Sequence, residues 1–517
     1  MTAALHDILH TAMLGLRSFA RLLRKKVRLP TRDKDLFEDV PDVKAEQGGE
    51  SASQQETTTK AETATTKAET EKQKAETEKQ KAEDQPATAE WLAKRHHPPI
   101  FLPPALLKAT ASVLAKHSHK AVREYGDKLA KAYSLINSTE KPRNIEHVQP
   151  FATSTEALQE TVEKHQKTFF DPFLKDFMKL EAHSLTKPRN VEDDKQLLMT
   201  IKYETPHALG YLYKRQPRSY ASAYRVLSEV QVRMPVFKPK KVLDYGAGLG
   251  AGMWAANSLY PDLKVIAGVE PADVMKSMGK KLSVAVGKMR WFDNIAALPT
   301  SASEEGRFDI VMLNYVLGEV ESSKLRALIV EALWHRTTGL LVVIESGAPK
   351  GFRLIHSVRD WALKNFTREE CNIVAPCPHE GNCPLAKDKS SWCHFSAFSF
   401  VYPKDVIGQR VGLPNYENEK FSYIVLKKGL TPRQQFTTKA ETKSLDQTSY
   451  FWDRLVRPVL RPTRFSILDV CPHSLNVLPL NKTGDLQRVR VSKKKHKEAH
   501  KFARKAHWGD LWPFNTS

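Results

Sequence analysis

Over 517 residues, hydrophobic side chains make up 41% and charged ones 27%, an ordinary globular balance with room for several domains. The 80 Lys and Arg against 59 Asp and Glu leave a formal net charge of +21, which points to a polyanionic partner, nucleic acid before membrane. Five cysteines, all after residue 370, exclude a disulfide-rich secreted scaffold, and no apolar run reaches the roughly 18 residues of a spanning helix, so no membrane insertion is expected.

Residues 1–30 thread Arg17, Arg21, Arg24, Lys25, Lys26 and Arg28 among Leu5, Ile8, Leu9, Leu16, Phe19, Leu22 and Leu23, with Asp7 the single acid. A basic amphipathic helix of this kind reads as a mitochondrial presequence, against the blander reading of a surface helix. Residues 31–88 read as a disordered low-complexity linker. Lys-Ala-Glu returns at Lys60, Lys67, Lys74 and Lys81, but the heptad offers only Ala for a seam and cannot build a coiled coil. From 89 to 235 the spacing predicts a helical N-terminal domain. Helices are expected over 104–136, 155–181 and 218–233, with Arg215, Arg218, Arg225 and Arg233 giving it a basic surface.

A strand at 241–243 then runs into Asp244-Tyr245-Gly246-Ala247-Gly248-Leu249-Gly250, with a helix expected over 253–260. Glycines suit a tight turn whose backbone must approach a ligand closely. The next strand, 264–269, ends at Glu270, a carboxylate placed for two ribose hydroxyls. Gly246-x-Gly248-x-x-Ala251 fits a dinucleotide fingerprint, whereas Asp244-x-Gly246-x-Gly248-x-Gly250 resembles the first motif of class I S-adenosylmethionine-dependent methyltransferases. Later features favour the second ligand. A buried strand at 308–313 leads into Asn314-Tyr315-Val316-Leu317-Gly318-Glu319, like the fourth motif of those enzymes. A fifth strand at 340–344 ends in Glu345, and 421–426 suits a late antiparallel strand. Asp293 stands where such folds meet the adenine. No Asn-Pro-Pro-Tyr or Asp-Pro-Pro-Tyr motif follows, and no cysteine lies near the fourth strand, so no catalytic residue can be named and methyl transfer has no signature beyond orientation.

Cys377-Pro378-His379, Cys383-Pro384, Cys393-His394 and Cys471-Pro472-His473 read as metal ligands. Cys-Pro is familiar in iron–sulfur ligation, and the neighbouring histidines keep zinc as a rival. Buried unligated thiols are the blander alternative, which the Gly-, Pro- and His-rich surroundings fit poorly. Between Arg488 and Lys505 stand nine basic residues and one acid, Glu498, with Arg454, Arg457, Arg461 and Arg464 upstream; this tail suits binding to phosphates without base reading.

Tyr220-Ala221, Arg225-Val226-Leu227, Arg233-x-Pro235, the glycine string, Ala375-Pro376-Cys377-Pro378-His379, Cys383-Pro384, Cys393 with Phe395-Ser396, and the closing Trp508-Gly509-Asp510-Leu511 together resemble the mitochondrial methyltransferase-like seventeen family, whose fungal members are small-subunit mitoribosomal proteins. The resemblance covers about 200–512. It implies an α/β, class I (Rossmann-like) S-adenosylmethionine-dependent methyltransferase fold over 236–430, with an inserted cysteine module at 371–396 and a basic C-terminal extension at 431–517. The implied cofactor residues are Asp244, Gly246, Gly248, Gly250, Glu270, Asp293 and Asn314. A four-iron, four-sulfur cluster on Cys377, Cys383, Cys393 and Cys471 is implied too, with Cys371 a spectator. The implied role is assembly of the mitochondrial small ribosomal subunit in the matrix, as a monomer bound to its rRNA and proteins. An active rRNA methyltransferase and a resident structural protein of the subunit are the alternatives.

Overall fold

The computed structural model describes residues 88–95, 99–137, 203–320, 322–386, 388, 390–400, 402, 416–436, 441–473 and 486–514. The predicted presequence, the Lys-Ala-Glu repeats and the predicted helix over 155–181 lie outside the described residues.

The described residues begin with three helices, α1 (Ala89–Ala93), α2 (Pro104–Leu114) and α3 (His119–Asn137), and continue after residue 202 with α4 (Thr205–Lys214) and α5 (Gln216–Arg233). Pro sits in the first turn of α2, α4 and α5, where its missing N–H is no loss and its fixed φ suits a helix start. The α/β unit follows: β1 (Lys241–Tyr245), α6 (Ala251–Leu259), β2 (Val265–Val269), α7 (Asp273–Ser283), β3 (Met289–Phe292), β4 (Phe308–Asn314), α8 (Ser323–Arg336), β5 (Thr337–Ser346), α9 (Pro349–Asn365), β6 (Cys371–Ala375), β7 (Phe395–Phe400) and β8 (Tyr416–Lys428).

These strands make one sheet in the order β3-β2-β1-β4-β5-β8-β6, with β7 also paired to β8. Strands β1 to β5 run parallel, and β8 enters antiparallel to β5, Leu341 opposite Leu426. A parallel sheet with a late antiparallel strand beside the fifth is the Rossmann-like arrangement of S-adenosylmethionine methyltransferases, as the glycine string and strand run predict. Its central strands are buried on both faces, so they read as unbroken Val, Ile, Leu and Met runs; Leu340 through Ile344 are fully buried. Each such side chain contributes about 1.5–3 kcal/mol on burial. Helices α2 to α5 share a core with this sheet: Leu106, Leu114, Leu209 and Leu227 belong to the same buried cluster as Val242, Ile310 and Val342.

Beyond β8 come two short helices, α10 (Pro432–Gln435) and α11 (Leu445–Thr448), and then a second sheet. Its strands are β9 (Asp453–Leu455), β10 (Phe465–Cys471), β11 (Gln487–Ser492) and β12 (Leu511–Trp512), in the order β11-β10-β9-β12, with helix α12 (Lys497–Lys505) before β12. Trp452, Leu468, Val491, Phe502 and Trp512 form its core, which Leu92 of α1 joins. The basic tail is thus a folded β unit. Its charge density masked the alternation in Phe465–Cys471, half of whose side chains point inward.

Candidate functional site

The glycine turn follows β1. Gly246, Gly248 and Gly250 adopt φ of 69°, 57° and 85°. A Cβ on Gly246 would meet Val316 Cγ2 at 2.6 Å, so both the backbone angle and the close approach require glycine there. Glu270, at the tip of β2, is buried; its carboxylate accepts from the backbone N–H of Gly248 at 2.8 Å and of Ala272 at 2.9 Å. Asp244 lies beneath the turn and accepts from Met253 N at 3.1 Å, with Oδ1 unpartnered. Burial pushes both carboxyls up to about 7.

A cavity of about 420 Å³ opens beside this turn, lined by Gly246, Gly248, Glu270 and Asn314 and capped by Tyr133, Tyr203, Tyr211, Arg215, Tyr315 and Glu319. Four of the seven predicted cofactor residues therefore meet in one place. Gly250 instead packs against Trp291, Asp244 braces the turn from below, and Asp293 is largely exposed and paired with Lys276. Tyr315 holds φ of 64°, uncommon for a bulky residue, and is fixed there by its hydroxyl on Glu419 at 2.9 Å and by Arg215 stacked 3.8 Å over its ring. Glu319 is pushed up to about 7 by burial, and Tyr203 donates to it at 3.5 Å. Tyr315 and Glu319 follow Asn314 in the predicted fourth motif, but the Tyr133, Tyr203 and Tyr211 side of the pocket was not legible in sequence, because these residues come from segments before the glycine motif.

The second cavity is built by the cysteines. Strands β6 and β7 pair with successive stretches of β8, and the segment 376–394 loops out between them. Cys471 arrives from the second sheet, at the end of β10. Cys377, Cys383, Cys393 and Cys471 all line a cavity of about 600 Å³, with walls from α9 (Phe352, Ile355, Arg359), β8 (Tyr423, Ile424) and β9 (Arg454). None of the five cysteines is in a disulfide. Cys371 lies in β6 opposite Lys428 and does not line the cavity. Burial pushes Cys383 up to about 11, and burial with the neighbouring thiols pushes Cys393 and Cys471 well above the ordinary thiol value. Of the predicted rival ligands, His379 is buried with Nε2 3.1 Å from Cys471 Sγ, whereas His394 packs on Trp508 and His473 pairs with Asp453 at 2.7 Å. The four cysteines line one cavity. Among the described residues, no group of three or more His, Cys, Asp or Glu converges to hold a single ion.

The loop carrying these thiols is held by arginines. Arg454 Nε donates to Pro376 O at 3.0 Å, Arg433 Nη2 to Cys377 O at 3.1 Å, Arg233 Nη1 to Val374 O at 3.0 Å, and Arg359 Nη2 to His379 O at 3.3 Å. The predicted basic surface of the helical region therefore needs correction. Arg225 and Arg233 are buried on Glu229, Arg215 pairs with Glu419 at 2.7 Å, and Arg218 pairs with Glu417. Arg454 leaves the basic tail as well, being only 1% exposed. What remains exposed is Arg461, Arg464, Arg488, Arg490, Lys493, Lys494, Lys495, Lys497, Lys501, Arg504 and Lys505 on the second sheet, its turns and α12.

The model of the family described as mitochondrial small ribosomal subunit Rsm22 matches residues 205–513, from the first residue of α4 to just past β12. The chain belongs to the Rsm22 family. That match takes in the glycine turn and all four cavity-lining cysteines. The Rsm22-cox11 tandem protein 2, mitochondrial, of Schizosaccharomyces pombe is 28% identical over 411 residues, which is 73% of this chain and 52% of that protein. Human ribosome assembly protein METTL17, mitochondrial, is 27% identical over 339 residues, 61% of this chain and 64% of that protein. The chain thus spans about half to two thirds of the length of these Rsm22-type relatives. Among solved structures, the plantazolicin methyltransferase BpumL, bound to SAH and a monoazolic desmethylPZN analogue, aligns with 53% of this chain and 99% of its own at 11% identity and a TM-score of 0.28; the fold rests on the strand order instead.

Proposed function

We propose that this chain is an assembly factor of the mitochondrial small ribosomal subunit, working in the matrix as a monomer on the immature particle. The observation that carries the reading is the family match over 205–513, which takes in the cysteine cavity, the glycine cavity except Tyr133 and Tyr203, and the basic face of the second sheet. The human relative in that family is named for ribosome assembly. The exposed lysines and arginines of β11, α12 and the turn between them bind rRNA phosphates, an attachment that carries no base information.

The glycine cavity takes S-adenosylmethionine. Gly246 and Gly248 let the backbone approach the ligand, Glu270 receives the ribose hydroxyls, and Asn314 lies on the far wall. S-adenosylmethionine supplies an activated methyl group. The capping tyrosines leave little room for a nucleobase beside it, and binding is the role favoured here. The rival reading, an active rRNA methyltransferase, draws on the buried Glu319 within the same cavity.

The cysteine cavity takes a four-iron, four-sulfur cluster on Cys377, Cys383, Cys393 and Cys471. The fit rests on the donor set: four cysteines line one cavity, three of them followed directly by proline, a donor set that suits a four-iron, four-sulfur cluster. The cluster supplies a four-point crosslink between the β6–β7 loop and the second sheet. On this reading Cys371 is a core thiol only.

Sedimentation of mitochondrial extract tests the role. An assembly factor accompanies precursors of the small subunit and is absent from translating ribosomes; a resident ribosomal protein stays on both. Loss of a specific rRNA methyl mark in Glu270→Ala cells, with assembly otherwise intact, would establish the methyltransferase reading in its place.

A further inference from the structure

The cysteine cavity adjoins an unusual concentration of buried positive charge. The carboxylate of Glu229 is shared by four guanidiniums: Arg454 at 2.6 Å, Arg225 at 3.1 Å, Arg233 at 3.2 Å and Arg95 at 3.4 Å. All five side chains are buried. Tyr423 also donates to Glu229, at 2.7 Å. The other buried or half-buried carboxylates nearby are already engaged: Asp510 on the backbone N–H of Arg95, Glu380 beside Arg433 at 3.6 Å, and Asp360 beside Arg359 at 3.7 Å. Arg95, Arg225, Arg233 and Arg454 still outnumber the buried carboxylates beside them, Glu229 and Asp510. Burial and mutual repulsion push Arg95 down to about 9 and Arg233 down to about 10, whereas Glu229 holds Arg454 above its ordinary value and the neighbouring thiols hold Arg359 above its own. A buried charge without a counter-charge is strongly disfavoured, so a fold that keeps such a surplus needs a nearby anion.

Two arginines, one of them part of this cluster, face the thiols. Arg454 and Arg359 both line the cavity. The charges of Cys377 and Cys383 act on Arg359 and that of Cys393 acts on Arg454, while His379 Nε2 lies 3.1 Å from Cys471 Sγ. Two arginines and a histidine thus share the wall of the cavity with the four thiols, and the histidine is in contact with one of them. Arg359 Nε is buried without a hydrogen-bond partner, as is His379 Nδ1.

We propose that Arg359 and Arg454, with His379, are the positioning residues of the four-cysteine centre, holding N–H donors and positive charge against its sulfurs and so setting how readily it accepts an electron. The inference rests on the cluster reading above. An oxidised four-iron cluster with four thiolates is a dianion. Bound by these four cysteines, such a cluster would supply one-electron chemistry, with reduction by a low-potential donor such as dithionite adding one negative charge and neither bond nor proton changing hands. Adjacent guanidiniums favour the more negative form, and donors to the sulfurs delocalise its charge. Arg454 also joins the centre to the Glu229 node, which ties α1, α5 and β9 together.

The test uses the full chain purified anaerobically. Iron, sulfide and zinc are measured first, and the reduction midpoint is then followed by electron paramagnetic resonance during dithionite titration. Arg359→Gln is expected to keep its iron and shift the midpoint to more negative potential, with cluster loss in air several-fold faster. Arg359→Lys and Arg454→Lys, which keep the charge, should stay near the wild-type midpoint. An unchanged midpoint in Arg359→Gln, or equal shifts in the Gln and Lys variants, would overturn the inference and leave the cluster intact as a reading. Zinc without sulfide in the wild type would overturn the cluster reading itself. Resonance Raman of the wild type in deuterated buffer needs no variant to fold: iron–sulfur stretching bands that move on N–H exchange support the donors, and bands that do not move refute them.

Discussion

The cavity at the glycine turn and the cavity at the cysteines are both formed around β-sheet ends, yet the groups that line them are opposite in sign. The glycine cavity holds Glu270 and Glu319, both raised to about 7 by burial, and the cation in its wall, Arg215, is already paired with Glu419. The cysteine cavity holds Arg359 and Arg454, the latter part of a four-arginine cluster on a single carboxylate. A sulfonium cofactor suits the first, and a thiolate-bound anionic cluster suits the second. Each cavity is preset with charge opposite to the ligand proposed for it, and each is destabilising when empty.

The sharpest way to break this contrast is at the ligands. Cys471→Ser should lose the cluster and lower the thermal midpoint by roughly 5–10 °C, because Cys471 brings the second sheet to the loop and ligation is coupled to folding. Cys371→Ser, in β6 outside the cavity, should keep full iron content and stay within about 2 °C. Calorimetry with iron analysis separates the two. At the other cavity, Gly248→Arg places a long side chain where φ is 57° and Tyr211 Oη already lies 3.3 Å from the Cβ position. S-adenosylmethionine binding should fall below detection by isothermal calorimetry while iron content is unchanged. Loss of iron in that variant would mean that the cavities are not independent.

The sign of the glycine cavity can be read from pH. Glu270, Asp244 and Glu319 have folded values near 7, above their unfolded ones, so the folded chain binds protons more readily than the unfolded chain. Their contribution to stability therefore falls as pH rises through about 4–7 and is level above that. Cofactor affinity should move the other way. A ribose needs ionised Glu270, so affinity should drop by up to about tenfold per pH unit below 7, and Glu270→Gln should flatten the profile. The smallest effect expected is at the surface. Neutralising Lys493, Lys494, Lys495 and Lys497 should reduce the salt slope of RNA binding by about 0.7–0.9 for each phosphate no longer neutralised. Stability should change little, since these side chains are exposed.

How much of this could be read in the sequence differs between the two cavities. The glycine turn is local: Asp244 to Gly250 and Glu270 lie on adjacent parallel strands, and motif spacing places them together. The strands around it are legible for the same reason, since Phe308–Asn314 and Thr337–Ser346 are long apolar runs. The cysteines stand out in sequence as candidate ligands by their Cys-Pro and Cys-His neighbours, and the fold brings four of them to one cavity. Their surroundings were not legible, because Arg359 comes from α9, Arg454 from β9 and Cys471 from a different sheet. Charge misled in the same way. Arg225, Arg233 and Arg454 look like surface basic residues in sequence, and only the fold shows that all three turn inward onto Glu229, which a composition count cannot distinguish from a solvated acid. The second sheet was missed because nine basic residues between 488 and 505 outweigh a short apolar pattern.

The most direct measurement is the metal and sulfide content of the anaerobically purified full chain, taken with its absorption spectrum. About four iron and four inorganic sulfide per chain, with broad visible absorption that bleaches on dithionite, is the expected result. One zinc per chain with no sulfide would contradict it.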